Sequence, residues 1–161
     1  MGQISLQQIA GQFEGVFREA FEGPPEGFAY FSDQGEDAGL LPLLSRLSAE
    51  EASKPIDGST IAGQVQHLTF SLHASIGLLC QDGGRPNWAE SWSVDQVDEE
   101  GWKGLVGALE AVYGRFTSAV ETRAFESEMA VGIVLGNVAH LAYHLGLIRQ
   151  KARQVRAGGV A

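Results

Sequence analysis

Gly136-Asn137-Val138-Ala139-His140-Leu141-Ala142-Tyr143-His144-Leu145-Gly146 reads as helix throughout and sets two histidines four residues apart. Residues at i and i+4 leave a helix on one face, one turn apart. Two imidazoles so placed can reach one metal ion. The chain has four histidines, and a third, His67, lies on another strongly helical segment. Two ligands from one helix and one from a facing helix make an open three-ligand site inside a helix bundle.

The helix carrying the pair is expected over Glu128 to about Arg153. Val131, Val134, Leu135, Val138, Leu141 and Leu145 line one side of it, and Ile133, Asn137, His140, His144 and Leu147 another. Gly158-Gly159 is expected to end order, with a disordered tail after about residue 156. His67 falls on a second long helix, from Ser59 or Thr60 to about Leu79. There Ile61, Val65, Leu68, Leu72, Ile76 and Leu79 form one stripe, while Ala62, Gln66, Thr69 and His73 make a more polar face. His67 belongs to neither and groups with Gly63, Phe70, Ser71, Ala74 and Leu78. A helix apolar on two faces lies between two neighbours, with His67 turned to the interior.

Two more long helices complete the pattern. Leu6, Ile9, Phe13, Val16, Phe17 and Ala20 recur at helical spacing behind Ser5, up to Gly23-Pro24-Pro25. Trp102, Leu105, Leu109, Val112, Phe116 and Val120 form the stripe of a helix from Asp98 to Val120. A loop over Glu26–Gly39 precedes a short helix at Leu40–Leu47, and Ser48-Ala49-Glu50-Glu51 is a capping box. No strand-length segment alternates with period two, so the fold class is all-α, one domain over residues 1–161.

Composition narrows the functions. With 11 basic and 20 acidic residues the formal charge is −9, which disfavours nucleic acid as a partner. Met1 to Ala10 lacks the basic and apolar regions of a signal peptide, and no apolar stretch is read as approaching the roughly 20 residues of a membrane span. A cytoplasmic protein with no membrane partner is expected. Cys80 is the only cysteine, so no intramolecular disulfide can form. It ends an apolar helix and reads as a small packed hydrophobe.

A single histidine is more often a packing residue than a ligand. Here His140 and His144 share a face with Ile133 and Leu147, so burial is expected, and buried imidazoles need partners for their nitrogens. A divalent cation bound by His67, His140 and His144 supplies one. Three neutral nitrogens favour Zn or Ni over Mg or Ca. His73 lies about 240° round from His67, at about 100° per residue, and is assigned to the surface. Asn137, one turn before His140, is a candidate to orient a ligand or contact substrate. Trp88 and Trp92 are candidates to wall a pocket, and Gly146 to permit close helix packing.

Thr60-Ile61-Ala62-Gly63-Gln64-Val65-Gln66-His67-Leu68 and His140-Leu141-Ala142-Tyr143-His144-Leu145-Gly146-Leu147-Ile148-Arg149 resemble the second- and fourth-helix motifs of the DinB-like/YfiT-like metalloprotein superfamily. Trp88-Ala89-Glu90-Ser91-Trp92, with Trp102 and Leu105, resembles its intervening loop and third helix. The likeness runs from about Leu40 to Gln150 and departs at Leu147, where many relatives carry Gln. It implies an up-down-down-up four-helix bundle, with a short extra helix before helix two, and a divalent metal at His67, His140 and His144. It also implies a homodimer. Characterised relatives include thiol-dependent S-transferases, and the expected partner is a small-molecule substrate such as a low-molecular-weight thiol. Two alternatives stay open: a metal-dependent hydrolase, and a non-catalytic bundle that binds metal or ligand.

Overall fold

Ser5 opens helix α1 (Leu6–Glu22) with a capping box: its Oγ accepts from Gln8 N while the Gln8 side chain accepts from Ser5 N. The computed structural model describes residues 5–158. Short helices α2 (Leu40–Leu44) and α3 (Ala49–Ala52) follow, the first ending earlier than the apolar run to Leu47 suggests. Ser48 and Glu51 form the expected second capping box. Thr60 caps α4 (Ile61–Cys80), Asp98 caps α5 (Glu99–Arg123), and α6 spans Glu128–Gly158. Residues 88–92, expected as loop, form a 3₁₀ turn. Helix α6 passes the expected end at Arg153, while Gly159 lies outside the described residues.

The fold is all-helical among the described residues. Helix α4 packs against α5 and α6, and α1 packs against the same two from the other side. Ring pairs tie α1 to α5 and the turn after it: Phe17 with Phe116 at 5.0 Å and Phe21 with Tyr113 at 4.1 Å on α5, and Phe13 with Phe125 just beyond its end. Each such pair contributes about 0.5–1.5 kcal/mol beyond the area it buries. Phe17, Phe21, Phe116, Leu109, Leu141 and Ile148 are fully buried at the centre. Trp102 is buried as well, and its indole N–H donates to Leu47 O at 2.9 Å.

The segment between α1 and α2 is held by one carboxylate. Glu19 is only 1% exposed, yet it accepts from Tyr30 N at 2.5 Å, Phe31 N at 2.9 Å, Ser32 N at 2.7 Å and Ser32 Oγ at 2.8 Å. Burial alone raises its pKa, but the bonds from Tyr30, Phe31 and Ser32 outweigh it and hold the carboxyl below its ordinary 4.5. Gly23, at φ +97°, meets Gly39 where the loop closes, and a Cβ on Gly39 would overlap the Gly23 backbone.

Helix α6 differs from the expectation on two counts. Leu135, placed on the packed stripe, is 52% exposed, with Met129 and Tyr143 exposed as well. The buried face runs through Val134, Leu141 and Leu145 of the expected stripe together with Asn137, His144, Ile148 and Lys151, so polar groups share the inner face with apolar ones. Between Met129 and Ile148 the helix carries no Asp, Glu, Lys or Arg, which corrects the reading that no apolar stretch nears membrane-spanning length. By length and composition it could cross a bilayer, with mean hydropathy 1.6 in its best window. In this fold its inner face is spent on α1 and α4.

Candidate metal centre

A polar seam joins α4 to α6. On α4, Gln64, His67, Ser71 and Ser75 follow at spacings of three, four and four, one stripe of a helix. On α6 the facing stripe is Asn137, His140 and His144. The partners run in opposite order: Ser75 with Asn137, Ser71 with His140, and Gln64 with His144, so the two helices are antiparallel. Gly63, just before the seam, lets the chain after the 3₁₀ turn approach: a Cβ there would sit 3.1 Å from Val94 O.

The three histidines meet at one point. His140 Nε2 lies 3.1 Å from His67 Nε2 and 3.0 Å from His144 Nε2, and all three ligand atoms fall within 4.8 Å of one another. No Asp, Glu or Cys joins the group among the described residues. His144 is 3% exposed, while His67 and His140 are half-buried. Burial lowers the pKa of all three, with neighbouring histidines adding to it at His67 and His144, and His144 is pushed down to about 3. All three rings are therefore neutral near pH 7.

Counting hydrogens decides what the cluster can do. Ser91 Oγ gives its one hydrogen to Trp88 O at 2.8 Å, so toward His67 Nδ1, 3.1 Å away, it can only accept. Gln64 anchors its amide by donating from Nε2 to Ser59 Oγ at 2.9 Å, which turns the acceptor Oε1 to His144 Nδ1 at 2.6 Å. His67 and His144 thus carry their hydrogens on Nδ1 and present bare Nε2 lone pairs inward. His140 has at most one hydrogen to offer the two of them. If that hydrogen sits on Nδ1, facing Ser71 Oγ at 3.4 Å, the centre holds three lone pairs and no donor. Buried acceptors without donors are costly.

Such a donor set fits a transition metal. A tetrahedral ion with metal–nitrogen bonds of about 2.0–2.1 Å sets neighbouring nitrogens about 3.3 Å apart. The two shortest separations here differ from that by a few tenths of an ångström. Neutral imidazole nitrogens suit Zn or Ni, whereas Mg and Ca take oxygen.

The other expected site residues divide. Trp92 stacks on His67, with rings 4.2 Å apart and 15° from parallel, and walls the centre while remaining 44% exposed. The Trp88 ring instead packs on Phe70 at 5.4 Å, and only its carbonyl reaches the site, through Ser91. Asn137 bonds Ser75 Oγ at 2.9 Å and Ile133 O at 2.8 Å rather than a histidine, because its amide fills the next step of the seam. His73 is exposed. Gly146 permits no close packing: it is exposed, and a Cβ added there meets nothing within 4 Å. Tyr143, unremarked in the sequence, sets its ring edge against His144 at 5.1 Å. Gln64 and Ser71 were legible as helical neighbours of His67, whereas Ser91 carries no local signal.

Comparison with family models, with curated proteins and with solved structures returns no match for this chain. The residues themselves carry the functional reading.

Proposed function

We propose that the chain is a divalent-metal protein of the DinB-like superfamily, holding Zn or Ni through His67, His140 and His144 and carrying out thiol-dependent S-transfer beside them. The observation that carries this reading is the convergence of three neutral imidazoles whose Nδ1 atoms have outward partners and whose Nε2 atoms face one another. Two further features support the bundle order up-down-down-up: the α1–α5 ring pairs, in which residue numbers rise on one helix as they fall on the other, and the antiparallel seam of α4 and α6.

When bound, the ion supplies a Lewis acid on which a thiol is deprotonated at neutral pH. The chain's residues do the remaining work. Gln64 and Ser91 fix the tautomers of His144 and His67. Trp92 keeps water from one side of His67 and offers an apolar surface to a substrate. Three protein donors leave room for a fourth, which is the pattern of a reactive rather than a structural site. Cys80 does not fill it, since it stands 13 residues beyond His67 on α4, roughly 20 Å at about 1.5 Å per residue.

A hydrolase is the second reading, but no carboxylate stands in the cluster to serve as general base. Co(II)-loaded protein titrated with a small thiol separates the two. Thiol-dependent S-transfer predicts a new near-ultraviolet absorption band. An unchanged spectrum at saturating thiol would overturn it and leave the hydrolase. The exposed apolar side chains of α6, Met129, Leu135 and Tyr143, form a surface that a homodimer would cover, and light scattering at tens of micromolar would then give twice the chain mass.

A further inference from the structure

The seam does not stop at His144. Two turns farther along α6, Lys151 is 4% exposed and has no carboxylate within ion-pair distance among the described residues. Its ammonium donates to the carbonyls of Ile56 and Ser59, the latter at 3.1 Å. For the fold alone an apolar side chain is often the cheaper occupant of such a position. The ammonium does something an apolar group cannot: it clamps a turn.

That turn is tight and defined. Ile56 N donates to Ser59 O at 3.0 Å, Ser59 N donates to Ile56 O at 3.2 Å, and Asp57 and Gly58 take φ of +49° and +79° between them. The carbonyl of Ser59 faces Lys151 while its hydroxyl accepts from Gln64 Nε2 at 2.9 Å. Gln64 Oε1 in turn accepts from His144 Nδ1 at 2.6 Å. A closed circuit results, from α6 through the turn and α4 back to α6.

We infer that Lys151, Ser59 and Gln64 are positioning residues for the metal centre, an inference that rests on the metal reading above. The anchor on Gln64 is the operative step. With its Nε2 held by Ser59, the amide presents oxygen to His144, so the ring carries its hydrogen on Nδ1 and offers Nε2 to a metal. Released from that anchor, the amide can turn over and present its NH₂ group. Nδ1 must then accept, the hydrogen moves to Nε2, and the donor atom is blocked.

Two readouts test this. In metal-free protein at neutral pH, imidazole ¹⁵N shifts should report His144 as the Nδ1–H tautomer, and Ser59→Ala and Lys151→Met should each mix the two tautomers. Zn(II) competition with a chromophoric chelator should show Gln64→Leu weakening affinity by about 10- to 100-fold and Lys151→Met by about tenfold. Gln64→Glu, which keeps an oxygen facing Nδ1, should restore affinity. A merely structural role would lower the melting temperature and leave the tautomer alone. Wild-type affinity and an unchanged tautomer in both Ser59→Ala and Lys151→Met would overturn the inference, and Ser59→Ala decides if Lys151→Met does not fold. Should the wild type bind no metal, the metal reading fails by itself, while an unmixed tautomer in the variants still refutes the circuit.

Discussion

Glu19 and the three histidines are both buried polar clusters, and they are built in opposite ways. Around Glu19, four donors from residues 30–32 converge on one acceptor group, and nothing further is wanted. Around His67, His140 and His144, two acceptors face a third ring that has at most one hydrogen to share, with the hydrogens of His67 and His144 committed outward to Ser91 and Gln64. The first cluster is complete as protein. The second turns three imidazole nitrogens toward one point, where a cation could be held. Burial therefore does not distinguish a structural polar group from a functional one, whereas the balance of donors against acceptors does.

The largest expected effect separates the clusters by ligand. A transition metal at a thousand times its Kd should stabilise the protein by about 4 kcal/mol, by mass action on the folded state. Alanine at His67, His140 or His144 should abolish that gain in thermal melts, while His73→Ala and Glu19→Gln should keep it. Without metal, His140→Ala should cost only about 1 kcal/mol, the worth of the one N–H its Nε2 can share with His67 or His144.

Next comes the complete cluster. Glu19→Ala leaves three part-buried backbone N–H groups without their acceptor and should destabilise the fold by about 1–2 kcal/mol in urea titrations. The pH dependence follows from the sign of its shift. A carboxyl held below its ordinary 4.5 contributes stability that is present above that value and is lost as pH falls through the lower, folded-state value. Glu19→Gln should therefore remove part of the acid-induced loss of stability. An unaltered acid profile would mean that the loop does not depend on this carboxylate.

The smallest effect concerns the face of α6 that neither cluster uses. Gly146→Ala places a methyl in open space on an exposed helix and should stabilise by about 0.5–1 kcal/mol, with metal binding unchanged. Destabilisation would show that a dimer interface on α6 extends over Gly146 itself.

Helix starts were legible in the sequence because caps are local. Ser5 with Gln8, Ser48 with Glu51, and Thr60 and Asp98 all sit within three residues of the groups they satisfy. The histidine cluster was legible because i, i+4 spacing and two long helices place those side chains with little freedom. Glu19 was not, since its partners lie 11 to 13 residues away in an irregular loop. Lys151 was not legible either, because nothing local announces that a turn some ninety residues earlier offers it two carbonyls. Leu135 alone of the expected stripe went astray, for a physical reason. Hydropathy assigns the packed face to the apolar stripe, whereas here the inner face of α6 carries the polar seam and the outer face keeps apolar side chains.

Metal content per chain, measured by mass spectrometry of the elements on protein carrying no histidine tag, tests the account most directly. It predicts one divalent transition metal, Zn or Ni, per chain after equilibration, lost on substitution of any one of His67, His140 or His144. A chain that stays metal-free in the presence of both ions, with the three Nε2 atoms still turned together, would contradict it.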